Sequence, residues 1–492
     1  MTTREPAMAH ATHPTETATT DEESRWTTSI SVHYDSKKPT QRFIRYYLAL
    51  TLVFSAIWAS VNGILMPNQI QLIEVGNFFL GADAGIDLQA LTELGKSVAS
   101  GDVVATANEA RQLAILSDFE AARAGSLALV TTVSAILVMV LQPIIGVFSD
   151  RTRSRFGRRA PWILYAGLFG ALMLAVVRFA PSIAILVILW AATELALNVA
   201  GTPLQTTIAD RIPREKRGIV TSWTGLGSIL GGILGGVGAG LFFAIFGLDF
   251  YFILALILAI VVVLFVYRNR DSSSLEIERP HFSLKELLRG YAVALKAPNY
   301  RWLWISRVLF FFGYSTSTVL SLYMLQSYIS PALSAVEASR TAPLLSMAGI
   351  PLTLAAVAIS GRLSDRIGRR KPFIIVASLL MAVAMAIPLM SPTLPALFAQ
   401  AVITGIAFGI YIPVDNAMFM DVLPDPERAG RDIGLSIVAT NLGQSLAPVL
   451  AAQVVIFTGG YQMVWAAALV LVAMATFTIA PIRERPFSRG KS

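Results

Sequence analysis

The chain has 492 residues and a net charge of +8; 55% of the residues are hydrophobic, only 14% are charged, and the mean hydropathy is +0.63. Soluble domains carry roughly 25% charged residues, so this composition excludes a soluble protein and indicates a membrane protein. The absence of cysteine excludes disulfides, thiolate metal sites and thiol nucleophiles. The four histidines lie outside the apolar segments, which argues against a histidine metal site or proton relay inside a membrane.

The chain begins with a polar segment and continues with a series of apolar ones. Residues 1–40 are rich in Thr, Glu and Ser, which predicts a disordered cytoplasmic tail. They lack a basic start followed by a short apolar stretch, so we expect no cleavable signal peptide. Twelve apolar segments follow, each long enough to cross the ~30 Å hydrocarbon core as a helix. The predicted spans lie near 43–66, 124–148, 160–179, 182–207, 218–246, 249–267, 302–328, 342–360, 372–390, 394–419, 433–457 and 461–481.

The spans form two halves of six. The N-terminal half covers 41–267 and the C-terminal half covers 302–481, with a cytoplasmic linker at 268–301 and a cytoplasmic tail at 482–492. In the linker, the apolar and basic residues of 282–296 alternate at helical spacing, which predicts an amphipathic helix on the membrane surface.

Lysine and arginine predict the orientation of the chain, because they favour cytoplasmic segments. With the N-terminus inside, all but six of the 39 lie on the cytoplasmic side. This distribution predicts a multi-pass protein of the plasma (cytoplasmic or cell inner) membrane with both termini cytoplasmic. It also explains the positive charge by contact with a lipid bilayer, without a nucleic-acid partner.

The first outside loop, 67–122, is unusually long and acidic, and its 88–123 stretch has a helical composition. The simplest interpretation is an insertion on the surface. A role as a lid or as a docking site for a partner is an alternative that the sequence leaves open.

A motif with one acidic and several basic residues occurs at the same place in both halves. After the second span the chain has Gly146–Arg151 and then Gly157–Arg159, and after the eighth it has Gly361–Lys371. A second pair of loops, 209–218 after the fourth span and 420–430 after the tenth, repeats in the same order. A repeat six spans apart is typical of transporters built from two related halves.

These loops favour a conformational role. An Asp at a helix end can accept charge-assisted hydrogen bonds from arginines of neighbouring loops. We therefore predict a latch that holds the cytoplasmic ends of the bundle together while the protein is open to the outside; the alternative is that the arginines are only topological anchors. The predicted latch residues are Asp150, Arg151, Arg158, Arg159, Asp210, Arg217, Asp365, Arg366, Arg369, Arg370, Asp421 and Arg428.

The motif at 361–371, with its counterpart after the second span, resembles the signature of the major facilitator superfamily. The variant at Ser149–Pro161 is similar to that of the plant sucrose/proton symporters and their relatives, close to the glycoside–pentoside–hexuronide:cation symporters. The resemblance covers roughly 43–481, apart from 67–122. It implies an all-α membrane protein with the major facilitator fold, in which twelve transmembrane helices form two pseudo-symmetric halves that alternate access by a rocker switch.

Glu194 lies about halfway along the fourth span, and ionisable residues at membrane depth are expensive and usually functional. Asn198 and Gln205 lie on the same helical face, and Pro203 frees a backbone carbonyl between them. A carboxylate in a low dielectric can exchange a proton near neutral pH, and it can accept hydrogen bonds from sugar hydroxyls. Coupling or substrate binding is the preferred interpretation; a structural pair with a neighbouring helix is the alternative.

The resemblance to the plant sucrose symporters extends to Glu194. An acidic residue of that family matches it, counted back from the proline that matches Pro203, which implies a coupling or binding role. That family carries an arginine two residues after the proline, where this chain has Gln205. The resemblance therefore does not extend to that charge pairing or to sucrose itself.

Polar residues of other spans complete the predicted site. Trp58 and Asn62 lie one turn apart in the first span, and a ring beside an amide suits the apolar and hydroxyl faces of a sugar; plain packing is the alternative for Trp58. Asp415 in the tenth span is either a second ionisable site or part of the inner latch. Arg307 in the seventh span is a weaker candidate, because it can reach the cytoplasmic interface. The remaining predicted residues are Asn416, Asn441 and Gln444.

These features predict a secondary transporter and not an enzyme, because no nucleotide-binding loop of the form GxxxxGK[ST] occurs. We expect a monomer that imports a sugar, a disaccharide or a glycoside, together with a proton; sodium is the alternative coupling ion. We expect no metal and no other cofactor. Proton-coupled efflux of drugs or metabolites is the alternative function, although the glycine-rich fifth span lacks the Gly-Pro ending common in superfamily antiporters. A sensor or scaffold is the second alternative.

Overall fold

The computed structural model describes most of the membrane-embedded chain. The described residues are 37–270, 273–275, 293–424 and 429–482. The predictions for the tail at 1–40, the amphipathic helix at 282–296 and the tail at 482–492 therefore lie wholly or mostly outside the described residues.

The described residues form helices, with no strand among them. Two short π-helical turns, Val61–Leu65 and Met324–Tyr328, and two 3-10 turns, Gly81–Asp83 and Gly247–Asp249, interrupt or join these helices. The α-helices are α1 Lys37–Ser60, α2 Met66–Phe78, α3 Leu88–Ala99, α4 Ala107–Arg151, α5 Ala160–Val177, α6 Ile183–Arg211, α7 Arg214–Phe246, α8 Phe250–Arg268, α9 Pro298–Thr318, α10 Ser321–Tyr323, α11 Ala335–Ala348, α12 Ile350–Ile367, α13 Lys371–Met390, α14 Leu394–Asp421, α15 Ala429–Thr458 and α16 Gln462–Ile479.

Eleven continuous helical segments of the described chain are long and apolar enough to cross a membrane. One of them, Lys216–Arg268, has 53 residues and contains most of α7 and all of α8, with a 3-10 turn at Gly247–Asp249 between them. The structure is thus consistent with twelve spans, and the predicted all-α fold is confirmed.

The two halves repeat each other in their local signals. The second and eighth spans both begin with a capping box, made by Thr106 with Glu109 and by Ser334 with Glu337. After each of these spans the loop contains a glycine with positive φ, Gly157 at 88° and Gly368 at 69°. Glycine reaches this backbone region without a Cβ clash, so the same tight turn leads into the next helix. The repeat seen in the sequence is therefore also a repeat of backbone geometry.

The packing of the helices repeats as well. In the N-terminal half, α1 packs against α7 and α8, α6 packs against α4 and α5, and α5 packs against α8. In the C-terminal half, α9 packs against α15 and α16, α14 packs against α12 and α13, and α13 packs against α16. The halves meet where α4 contacts α15 and where α7 contacts α11. This arrangement is two pseudo-symmetric six-helix bundles around a shared interface.

Glycines allow the closest of these helix contacts. A Cβ atom on Gly231 or Gly235 of α7 would overlap the backbone of α1 at Leu52 and Ala56. Gly443 of α15 lies in the same way against the backbone of α9, at Val308. Small residues at such crossings let membrane helices approach closely enough for dispersion contacts to hold them together.

The segment predicted as a long loop at 67–122 is largely helical. The first span continues through the π turn into α2 and ends at Phe78, and the second begins at Ala107. The hydropathy of the sequence falls after residue 66 because polar residues follow, but those residues are buried against other helices. They are Asn68, Gln69, Gln71 and Glu74.

The two halves are joined at the end of the bundle that carries α2 and α3, called here the outer end. Asn68 of α2 donates to the Ser339 hydroxyl at 2.9 Å, and Tyr323 donates to the Pro67 carbonyl at 2.9 Å. A cavity lies between the halves, and a chamber beside it reaches Ala209 and Arg217 at the opposite end, where the acidic-basic loops lie. The positive charges predict that the loop end is cytoplasmic, and with that orientation this structure corresponds to an inward-facing state.

Candidate functional site

The central cavity between the two halves is the candidate site. Its main chamber has a volume of about 870 Å³, and two smaller chambers of about 670 and 400 Å³ lie beside it. Trp58 of α1 lines all three chambers. These volumes lie in the range of about 300–1,000 Å³ that is usual for small-molecule sites.

Glu194 of α6 lines the smallest chamber and is 6% exposed. The Ser134 hydroxyl and the Trp190 indole lie beside its carboxylate. No lysine, arginine or histidine of the described residues forms an ion pair with it. A carboxylate buried without a cation must bind a proton or another cation to lie there at low cost. Within the described residues, Glu194 therefore has no ion-pair partner, and its neighbour on the adjacent helix α4 is the hydroxyl of Ser134.

Trp58 and Asn62 are brought to the cavity by the first span. The Trp58 ring is 37% exposed and lies edge to face with Trp190, at 6.2 Å between ring centroids. Asn62 lies in the π turn Val61–Leu65, and its amide donates to the Trp58 carbonyl at 3.2 Å. Single π turns inside helices are often found at functional sites. The structure thus adds a local backbone reason for the position of Asn62.

The predicted amides of α6 and α15 also reach the cavity. Asn198 lines both smaller chambers and donates to the Glu194 carbonyl at 2.9 Å, whereas Gln205 lines only the 670 Å³ chamber. Asn441 and Gln444 line the chamber of Glu194 from the opposite half, and Gln444 also lines the main chamber. A ligand there would therefore meet amide donors and acceptors from both halves.

Asp415 and Asn416 lie elsewhere. Asp415 has no exposed surface, and its carboxylate pairs with Arg307 of α9, with Oδ2 at 2.6 Å from Nε. The same guanidinium donates to the Asn416 side-chain oxygen at 2.5 Å and lies over the Phe419 ring at 4.5 Å. Arg307 thus holds α9 against α14 inside the C-terminal half, and neither Asp415 nor Asn416 lines the three chambers.

The predicted latch residues of the N-terminal half cluster around Asp210. Arg158 approaches it at 2.6 Å and Arg159 at 3.2 Å, and Arg159 also donates to the Ser149 hydroxyl at 2.9 Å. Arg217 donates instead to backbone carbonyls at the end of α6. Arg151 is exposed, and the Asp150 side chain lies outside what the structure describes.

The C-terminal half has the equivalent cluster. Arg370 pairs with Asp421 at 2.6 Å and approaches Asp365 at 3.9 Å. Arg366 and Arg369 are exposed. Arg428 lies outside the described residues. In both halves the described pairs join loops of the same half, so a latch between the halves stays a prediction for the outward-facing state.

Sequence analysis missed several residues of the cavity. Gln142 of α4 lines both smaller chambers, Thr131 lines the chamber of Glu194, and Ser228 of α7 lines the main chamber. Hydroxyls in apolar helices more often bond to their own backbone than to a ligand, as those of Thr131 and Ser228 do here. Gln142 could have been predicted from its amide side chain, because an amide in contact with lipid is energetically unfavourable and therefore tends to face a cavity or another helix.

Comparison with known proteins shows the family of this chain. A family model described as MFS/sugar transport protein matches residues 116–464. The chain belongs to this family of the major facilitator superfamily. The protein is therefore a transporter and not an enzyme.

One curated relative is informative about this transporter. The general alpha-glucoside permease of Schizosaccharomyces pombe is 30% identical over 103 residues, which is 18% of this chain and 19% of the permease. The chain thus spans about a fifth of the length of the curated relative that it matches. The likeness is confined to that stretch.

Solved structures show the likeness of the transporter's fold. A mutant of the nucleoside transporter NupG has a TM-score of 0.65 at 14% identity, covering 90% of this chain and 100% of its own. A bacterial homologue of the human lysosomal transporter Spinster, inward-facing and unoccupied, has a TM-score of 0.59 at 14% identity, over 90% and 99% of the two chains. The human organic anion transporter TETRAN has a TM-score of 0.57 at 16% identity, over 89% and 99%.

Proposed function

We propose that this transporter imports a glycoside or disaccharide together with a proton, as a monomer in the cytoplasmic membrane. The observation that carries the proposal is Glu194, a buried carboxylate with no described cation partner, at the edge of a cavity lined by amides and tryptophan. The family description and the stretch that resembles an alpha-glucoside permease support a sugar as the substrate.

The chemistry of the cavity suits a sugar better than an apolar compound. Trp58 offers an exposed ring face for the C–H face of a pyranose, and Asn62, Asn198, Asn441 and Gln444 offer donors and acceptors for its hydroxyls. Small-molecule sites combine apolar walls with a few placed polar groups in this way. A sugar bound there would contact both halves, so its binding would favour the state in which the halves close around it.

Glu194 is the proposed coupling residue. In the outward-facing state it would take a proton from the outside, and in the inward-facing state it would release the proton toward the loop end. Its lack of an ion pair supports this role, because a fixed cation would hold the carboxylate ionised through the whole cycle. Asp415 is the contrasting case, since Arg307 already compensates its charge.

The experiment is exchange of radiolabelled sugars in proteoliposomes, with and without an inward proton gradient. Maltose, methyl α-glucoside, sucrose and a nucleoside form the panel, because they separate an α-glucoside site from other substrate classes. We expect α-glucosides to accumulate when the outside is acidic, and the sucrose signal to be weaker. If substrate added outside instead drove protons out of acid-loaded vesicles, the efflux alternative would be supported and the proposal refuted.

A further inference from the structure

A side chamber extends from the central cavity into the C-terminal half. It has a volume of about 490 Å³, and all of its lining residues belong to that half. Tyr314, Thr318 and Gln444 line both this side chamber and the main chamber, so the two spaces are continuous. Gln444 also lines the chamber of Glu194. The side chamber and the coupling carboxylate therefore lie at two ends of one connected space.

Aromatic rings form one wall of the side chamber. Tyr314 and Phe408 lie edge to face with ring centroids 4.4 Å apart, and Phe311 lies edge to face with Phe408 at 5.8 Å. Fixed rings of this kind provide apolar contact area at low cost in side-chain entropy. The C–H face of a sugar ring is the part of a glycoside that needs such a wall.

Two polar side chains in the same wall have hydrogen-bonding capacity to spare. Gln400 is 8% exposed and uses its amide nitrogen to donate to the Thr404 hydroxyl at 2.9 Å. Trp465 is 3% exposed, and its indole nitrogen has no hydrogen-bond partner among the described residues. A buried donor without a partner destabilises the structure until a ligand or water accepts its hydrogen. Rings beside unused polar groups are the features of a sugar subsite.

We propose that the side chamber is a second subsite, which binds the second ring of a disaccharide or the aglycone of a glycoside. The inference rests on the proposed function, because it takes the substrate to be a sugar. One ring would lie near Trp58 and Glu194, and the other between Tyr314, Gln400 and Trp465. The subsite would then select for substrates larger than one pyranose.

The test compares sugars of one and two rings in the exchange assay, on the full chain. Trp465→Phe removes the indole donor and keeps an aromatic ring. We expect the half-saturation concentration for maltose to rise about tenfold, because a site built around a hydrogen bond discriminates against its loss. Methyl α-glucoside should change by less than about twofold. Trp304→Phe is the matched control, because that indole bonds to the Leu435 carbonyl at 2.9 Å and does not line the side chamber.

Gln400→Leu provides a second variant with the same expectation, should Trp465→Phe fold poorly. Equal changes for maltose and methyl α-glucoside, or no change for either, would refute the subsite while leaving the proposed function intact. If the wild-type protein exchanges neither sugar, the proposed function and the subsite are both refuted.

A second inference concerns α3 and is independent of the substrate. This helix belongs to the segment 79–106 between the first two spans, and it packs on the N-terminal half through Leu91, which lies with Phe79, Leu116 and Phe119. Arg111 and Gln112 donate to the Asp83 carboxylate at 2.8 Å each and so fix the start of the segment. These hydrogen bonds hold the pKa of Asp83 below its usual range, so the contact persists at neutral pH.

The opposite face of α3 contacts the C-terminal half. Gln89 donates to the Ala332 carbonyl at 2.7 Å, and the Ala332 amide donates to Glu93 at 2.6 Å. Lys96 donates to the Ile329 carbonyl at 2.5 Å. Positions 89, 93 and 96 lie on one face of a helix. The segment thus crosses from one half to the other over the closed outer end.

A buried arginine lies between the halves at the same end. Arg123 of α4 is 2% exposed and donates to Tyr461 at 3.0 Å and to Ser327 at 2.6 Å, both in the C-terminal half. It also donates to Gln71 of its own half at 3.3 Å and lies over the Tyr323 ring at 4.6 Å. These contacts cannot survive a separation of the outer ends, so they belong to this state of the transporter.

We infer that segment 79–106 is a strap that stabilises the inward-facing state and releases when the outer end opens. It would set the balance between the two states without contacting the substrate. The strap-release variant replaces Gln89, Glu93 and Lys96 by Ala together. Its matched control replaces Ser97, Ser100 and Asp102 by Ala, polar residues of the same segment whose described side-chain hydrogen bonds lie within it and not to Ala332 or Ile329.

The readout is a single reporter cysteine, which the cysteine-free chain allows. Ser346 lines the main chamber, and Ser346→Cys would be labelled from the outer side only when that end opens. We expect a membrane-impermeant maleimide added outside to label the strap-release variant about tenfold faster than the reporter alone. Glu93→Gln alone should give an intermediate rate. An unchanged rate in the strap-release variant, or an equal increase in the control, would overturn the inference.

Discussion

Removal of Arg307 provides a quantitative test of the C-terminal half. Asp415 has no exposed surface, and Arg307 donates to it at 2.6 Å. Arg307→Met keeps the apolar stem but leaves the carboxylate buried without a cation, which destabilises proteins by about 3–5 kcal/mol. For a half of this size, that loss corresponds to a fall of roughly 10 °C in melting temperature. The assay is thermal unfolding of the purified protein in detergent.

The double variant Arg307→Met with Asp415→Leu decides whether the ion pair is the cause. Because no charge is then left buried, we expect most of the lost stability to return. Arg158→Met is the matched control: its side chain is 20% exposed beside Asp210, and such a pair contributes about 1 kcal/mol or less. A double variant as unstable as the sum of its single variants would refute the reasoning.

Two further predictions concern helix packing and the loops. Gly235→Ala should lower the melting temperature, because the new Cβ would overlap the backbone of Ala56 in α1. A Cβ on Gly238 would meet open space, so Gly238→Ala should stabilise α7 by about 0.5–1 kcal/mol. Equal effects of the two substitutions would contradict the packing described. Asp365→Asn should slow transport without lowering stability, because its side chain is 72% exposed in this state and would engage only in the outward-facing one. Unchanged transport by folded Asp365→Asn would count against the latch.

Much of the fold could be predicted from the sequence because it depends on short-range signals. The sequence contains twelve apolar segments and two copies of the acidic-basic loop. Each copy includes a glycine, Gly157 or Gly368, at the turn into the next helix. The extent of the first span could not be predicted in this way. From the sequence alone, Asn68 and Glu74 are typical of a loop. The helix continues to Phe78 because other helices bury these two residues and hydrogen-bond to them.

The candidate site was predictable in part for the same reason. Glu194 and Asn198 could be found because a polar helix face in an apolar span needs a cavity. Asp415 is likewise an acidic residue in an apolar span, yet its carboxylate pairs with Arg307, which lies 108 residues away in the chain. Which of two buried carboxylates finds a cation depends on tertiary packing, and no local pattern records it.

Proton movement driven by the sugar is the most direct test of the account. Proteoliposomes containing a trapped pH-sensitive dye are mixed with an α-glucoside, without an imposed gradient. The account predicts that wild-type protein acidifies the interior, and that Glu194→Gln does not, while Glu194→Gln still exchanges labelled sugar across the membrane. Acidification by Glu194→Gln, or sugar uptake by the wild-type protein with no proton entry, would contradict the central claim.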